Sequence, residues 1–341
     1  MREFAFQLWG SESYVRHISF DTYSDLIEYL SSKAPRHAYY SIALYELPEA
    51  GSMEEKNWLG SDLLFDIDLD HVEACFEDSV RMESGEILIG DGCLLEGYRL
   101  AQKLSAMIRR DLKPDKVTIY YTGHRGFHLR VICERCRSLD RGARRQIAQY
   151  FAGESVEPTL IFPPASGGRR KTAPAIPGEE EPGWRGWVAP YIKAEAPGAR
   201  SLVEAYGKRW PDEIRRLISS AAVPIDTMVT QDPTRLTRLF GSLNGKGSFL
   251  VYDATETFRP GPHLSPFKGD IDALFKSDLP PLKIMGVTVQ GRRGEGQSLP
   301  AHIAVHLATK GVVEPVRGEV VVRASSCGRP LQGRYRPSRR L

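Results

Sequence analysis

Apolar positions along this chain recur with two different periods. From Phe4 to about Phe20, apolar and polar residues alternate with aromatics among them, which predicts a pair of strands. The stretch FDTYSDLIEYLSSK places Leu26, Ile27 and Leu30 on one face, predicting a helix capped by Asp21 or Ser24. AYYSIALYEL and LLFDIDL read as two further strands, the second running into a helix from His71 to about Ser79. The clearest helical period belongs to Leu94, Tyr98, Ala101, Leu104 and Ile108, and Pro114 ends that run. KVTIYY and FHLRVIC flank the polar stretch TGHRG, the pattern of a hairpin. Another helix is expected from Ser138 to Phe151.

The texture then changes. Pro158 to Pro197 is rich in proline, glycine and charge and has no clear period, so a long surface loop is expected there. Ser201 to Ala222 returns to a helical pattern, VPIDTMVT reads as a strand, and DPTRLTRLFG reads as a short helix with Asp232 as cap, Pro233 at its first position and Gly241 as its stop. GSFLVYDA predicts one more strand. Strands and helices interleave without a repeat, so the class is mixed α/β or α+β. The expected organisation is a body made of residues 1–153 and 223–300, a loop-rich and helical insertion at 154–222, and a C-terminal segment at 301–341 with a basic tail.

Composition narrows the options only a little. Hydrophobic residues at 41% and charged residues at 26% describe an ordinary globular chain and exclude overall disorder. A net charge of +3 argues against a polycation but allows local basic patches, found at Gly167 to Lys171 and in the tail at Arg329, Arg334, Arg336, Arg339 and Arg340. No apolar run is long enough to cross a bilayer and the first residues lack a signal-peptide pattern, so a cytoplasmic protein with no membrane association is expected. Five scattered cysteines fit a reducing compartment better than a disulfide framework.

Candidate chemistry begins in LLFDIDLDH. Asp66, Asp68 and Asp70 occupy every second position, so on a strand they share one face. Unpaired, they would repel one another and resist desolvation, whereas metal ions held between Asp66 and Asp68 would cancel both costs. The plainer alternative is a strand end running into a turn, and Asp70 sits where a helix cap belongs. In YYTGHRGFHLRV, Phe127, Leu129 and Val131 form the buried face, leaving His128 and Arg130 opposite; with Thr122 and Arg125 they make a set of donors suited to phosphate, or else a polar hairpin tip. Arg235 and Arg238 are three residues apart, and Gly241, Asn244, Gly245, Lys246 and Gly247 follow them; Asp226 stands just upstream as a further carboxylate. Cys133 and Cys136 have the spacing of half a zinc site, but no second closely spaced pair exists and two reduced thiols are the favoured reading.

In chain order these pieces resemble the catalytic small subunit of archaeal and eukaryotic DNA primases, from Arg2 to about Gly247. The resemblance is carried by REFAF with YVRHISF, by FDIDL, by TGHRGFH and by IDTMVTQDPTRLTRLFGSLNGK. It implies the primase catalytic fold of mixed sheets flanked by helices, and primer synthesis on single-stranded DNA by two-metal nucleotidyl transfer. Asp66, Asp68 and Asp226 would be the ligands of two Mg²⁺ or Mn²⁺ ions. Thr122, Arg125, His128 and Arg238 would contact the nucleotide's phosphates, with Glu3, Tyr14 and Arg16 nearby. Thr122 stands where the family has serine, and Asn244 where it usually has histidine. A zinc ion, where bound, would draw on Cys75, Cys93, Cys133 and Cys136. The implied partners are a DNA template, NTPs or dNTPs, and a large regulatory subunit. A related primase-polymerase or end-joining polymerase, or a non-catalytic nucleic-acid-binding module, are the competing expectations.

Overall fold

The computed structural model describes residues 1–163, 173–322 and 331–335 of the chain. The basic patch at 167–171 and Arg329, Arg336, Arg339 and Arg340 of the tail lie outside them. Two four-stranded antiparallel sheets carry the site. The first is built from β1 (Phe4–Gln7), β2 (Tyr14–Ile18) and β3 (His37–Ser41), with α1 (Tyr23–Lys33) linking β2 to β3. Thr22, rather than Asp21 or Ser24, caps α1, and the Asp25 carboxylate returns a bond to the Thr22 amide.

The second sheet is built on β4 (Leu63–Asp68). The long helix α2 (Asp91–Asp111) follows, with Leu94, Ala101, Leu104 and Ile108 buried as the period requires. The hairpin strands β5 (Lys116–Tyr121) and β6 (Gly126–Ile132) come next. β6 pairs with β4 so that His128 lies opposite Asp66 and Gly126 opposite Asp68. Leu63, Phe65 and Ile67 therefore face the core under α2, while Asp66 and Asp68 face the other way. Beyond Asp68 the backbone turns into short 3₁₀ segments, Leu69–His71 and Glu73–Asp78, in place of the helix expected from His71.

After α3 (Arg141–Phe151), the stretch expected to be a loop contains a helix, α4 (Gly183–Glu195), with Trp184, Val188 and Ile192 buried along one stripe. It packs with α5 (Trp210–Ala221) against the common core. Two further expectations are reversed. VPIDTMVT is not a strand: Asp226 caps a short helix, α6 (Thr227–Gln231). DPTRLTRLFG is not a helix: Asp232 accepts from the Thr234 amide in a tight turn, and β7 (Leu236–Arg238) joins the first sheet beside β3. The first sheet thus has the order β7-β3-β1-β2, and the second, completed by β8 (Tyr252–Asp253), has the order β8-β5-β6-β4. A third sheet contains β9 (Asp270–Phe275) and β10 (Val313–Val322), and α7 (Ala301–Thr309) packs on it.

The cysteine expectations also change. Cys75 pairs with Cys93 and Cys133 with Cys136 as disulfides, so these four are neither reduced thiols nor free zinc ligands in this structure. No described helix is long and apolar enough to cross a membrane.

Candidate active site: a carboxylate strand facing a glycine turn

Asp66 and Asp68 stand on the outward face of β4, and Asp226, at the start of α6, lies beside Asp66. The Asp226 amide donates to the Asp66 carbonyl at 3.0 Å, and its own carboxylate accepts from the Met228 amide at 2.9 Å. Burial is the main cause that pushes the Asp66 carboxyl up to about 6, with the nearby Asp226 charge adding to it. Asp68 is raised by burial, then by its hydrogen bond to Asp70 and that neighbour's charge. Asp70 was expected to cap a helix; it caps nothing, and its carboxylate, that of Asp68 and the His71 ring lie within 4.8 Å of one another, close enough to share a cation. The period-two pattern put Asp70 on the face of Asp66 and Asp68, although the strand itself ends at Asp68 and Asp70 lies in the 3₁₀ turn beyond it.

Facing these carboxylates is the TGHRG turn. Gly123 holds φ at +74°, and a Cβ there would lie 2.5 Å from the Phe249 carbonyl, so the turn can seat against the 244–249 segment only with glycine. Arg125 projects from it to the acidic group, 2.9 Å from Asp70 and 3.7 Å from Asp68. The Thr122 hydroxyl donates to the Gly126 carbonyl across the turn, which leaves its oxygen lone pairs for other donors.

His128, on β6, bridges the two sheets. Its Nδ1 lies 3.1 Å from the Thr237 hydroxyl on β7, and its Nε2 is 3.5 Å from Asp66. Burial, reinforced by Arg238 and Arg235, holds the imidazole down at about 3, so it is neutral. Arg238 lies over the Tyr39 ring at 5.1 Å and within 3.1 Å of His37 Nδ1. Burial lowers its pKa, a cost opposed by Tyr39, Tyr14 and the Asp66 charge. Tyr14 packs edge-on to Tyr39 at 5.8 Å and keeps half its surface exposed at the rim.

Two expected nucleotide contacts sit deeper than the sequence implied. Glu3 is wholly buried, 3.0 Å from Lys56 and 3.1 Å from Arg16. Burial alone would raise its pKa, but these two cations outweigh that and lower it. Glu3 therefore fixes Arg16, which is the exposed member of the pair. Asn244 is also wholly buried; its amide donates to the Thr122 carbonyl at 2.8 Å and accepts from the Lys246 amide at 3.0 Å. Its side chain is fully used in holding the glycine turn.

A strand of paired carboxylates at the foot of a cation-bearing, glycine-built turn is the arrangement of a nucleotidyltransferase that handles phosphate with metal ions. The comparisons agree. The profile of the family described as DNA primase small subunit matches residues 65–252. The chain is 45% identical to the DNA primase small subunit PriS of Aeropyrum pernix over 97% of its own length and 91% of that protein's. It is 31% identical to that of Staphylothermus marinus over 94% of this chain and 90% of the relative, and 33% identical to that of Sulfolobus acidocaldarius over 91% and 87%. The chain belongs to the DNA primase small subunit family, metal-dependent nucleotidyltransferases that synthesise RNA primers.

Proposed function

We propose that this chain makes short primers on single-stranded DNA, joining NTPs at the cleft between the two sheets, with Asp66, Asp68 and Asp226 as the carboxylates that hold two divalent ions. The donor set fits Mg²⁺ or Mn²⁺, because all three are oxygen ligands and two of them resist carrying charge without added cations. Bound there, such ions would make a 3′-hydroxyl more nucleophilic and neutralise the leaving pyrophosphate. The chain's own groups then divide the remaining work. Arg125 and Arg238 hold the triphosphate as fixed cations, since guanidinium forks match phosphate oxygens and their stacking or pairing keeps them oriented. Neutral His128 contributes a hydrogen bond without adding charge, and its contact with Thr237 fixes the ring. Arg16 and Tyr14, at the rim, sit beside the nucleotide, with Glu3 orienting Arg16.

The observation that carries this proposal is the pair of raised carboxyls on β4 facing Arg125. Arg125 lies 2.9 Å from Asp70 and 3.7 Å from Asp68, so its guanidinium stands at the acidic face where a triphosphate would be held. The partners proposed are a DNA template, NTPs and a large regulatory subunit, in the cytoplasm. The test is primer synthesis on single-stranded DNA with labelled nucleotides and Mg²⁺ or Mn²⁺. Products that start from two free NTPs support a primase over an end-joining polymerase. A chain that binds DNA but forms no phosphodiester bond with either metal overturns the proposal in favour of a binding module.

A further inference from the structure

Lys310 lies directly after α7, far along the chain from every motif above, yet it ends at the tip of the glycine turn. Its ammonium is 2.7 Å from Nε2 of His124 and 2.7 Å from the Glu86 carboxylate. The residue is 5% exposed, an expensive place for a lysine whose one anionic partner is itself half in solvent. An ammonium has only donors, so His124 must accept through Nε2 and carry its proton on Nδ1. Burial, then the Lys310 charge, keeps that imidazole neutral. The other side of the tip is held by the Tyr121 hydroxyl, which donates to the His124 carbonyl at 2.9 Å.

The same helix also holds the second turn of the site. His306 Nδ1 is 2.7 Å from the Gly247 carbonyl, and the hydroxyls of Ser248 and Thr309 meet at 3.2 Å. Gly247 in turn packs its backbone against Gly123 so closely that a Cβ would overlap the Gly123 carbonyl. Helix α7 thus clamps both glycine turns from behind, and Lys310, just past its end, reaches through to the residue next to Arg125.

We propose that Lys310 is a positioning residue for nucleotide binding, fixing the 122–126 turn through His124 so that Arg125 is held toward the incoming triphosphate. This rests on the proposed role of Arg125 and extends the nucleotide site into the C-terminal part of the chain. Its ammonium also adds to the positive field of Arg125 and Lys246; burial above all, and then these two charges, depress its own pKa.

The test compares Lys310→Met, which keeps an apolar stem, with Lys310→Arg, which keeps the cation. In primer synthesis with Mg²⁺, Lys310→Met should raise KM for NTP about tenfold with kcat within about twofold, the signature of lost binding. Lys310→Arg should recover most of that loss. His124→Leu removes the acceptor without touching Lys310 and should reproduce the KM effect, which keeps the idea testable if Lys310→Met folds poorly. Calorimetric titration of the wild-type chain and the variants with Mg-ATP gives the same comparison without turnover. An unchanged KM and Kd in both folded variants overturns the positioning role, as does a loss that Lys310→Arg fails to recover. A wild-type chain that binds Mg-ATP but makes no primer would instead count against the proposed function, leaving Lys310 to be judged on Kd.

Discussion

Two groups of carboxylates lie a few residues apart in this chain and are treated in opposite ways. Asp62, wholly buried, is met by Arg2 and Arg130, each at 2.7 Å, while Arg144 holds the carbonyls of residues 61 and 62 from below. Glu3 is likewise enclosed by Lys56 and Arg16 and stays readily ionised. Four and six residues on from Asp62, Asp66 and Asp68 have no such close ion pair; burial outweighs the charges of Arg235 and Arg238 at Asp66 and of Arg125 at Asp68, Arg125 leans chiefly on Asp70, and both pKa values rise. Charge that the fold neutralises itself is part of the scaffold; on the proposed function, charge that it leaves unsettled awaits what binds.

The sharpest way to break this contrast is Asp66→Asn. Primer synthesis should fall at least about a thousandfold, the equivalent of ~4 kcal/mol. Metal-free stability at pH 7 should meanwhile increase by about 1–3 kcal/mol, because a group that resists ionisation is replaced by a neutral one. Calorimetric unfolding alongside the activity assay checks both, and a variant that is inactive because it is unfolded would dissolve the contrast. Asp62→Ala should do the reverse, costing about 3–5 kcal/mol of stability by leaving the partly buried Arg2 and Arg130 without their anion, as read from the denaturant midpoint. Arg125→Ala is a smaller perturbation: KM for NTP should rise about tenfold with a modest change in kcat, as steady-state kinetics would show.

The weakest expected effect concerns acid. Burial holds His37 and His306 at about 4 in the folded chain, below the 6.5 of an exposed histidine. Their contribution is therefore intact above about 6.5 and is lost as pH falls toward 4. Asp66, at about 6 against 3.8 when exposed, works the other way, since the folded chain takes up its proton first. Asp66→Asn removes that offset, so its melting temperature should drop more steeply than wild type between pH 7 and pH 5. Parallel slopes would show that Asp66 is not held above its ordinary range.

Much of the site was legible because its signals are local. The period-two aspartates of β4, the glycines of TGHRG and the long apolar stripe of α2 each belong to one continuous element whose geometry fixes which side chains share a face. The failures lie where tertiary contacts choose the backbone. Val229 is buried with Ile42 and Leu64, and that packing suits the helix begun by the Asp226 cap better than the strand its apolar neighbours suggested. Arg235 and Arg238 have the spacing of a helical arginine pair, but edge pairing of Leu236–Arg238 to β3 makes that segment a strand. In α4, the spacing of Trp184, Val188 and Ile192 was a usable helix signal, masked by Gly183, Gly186 and Pro190. Lys310 had no local signal at all, because it reaches the site only through a distant contact.

The reach of Lys310 to His124 spans 186 residues of chain. During translation, then, the acidic strand and its facing turn emerge long before the lysine that steadies them. On this account a half-made polypeptide still on the ribosome would grip nucleotides poorly, and competence to polymerise would come only once α7 had docked.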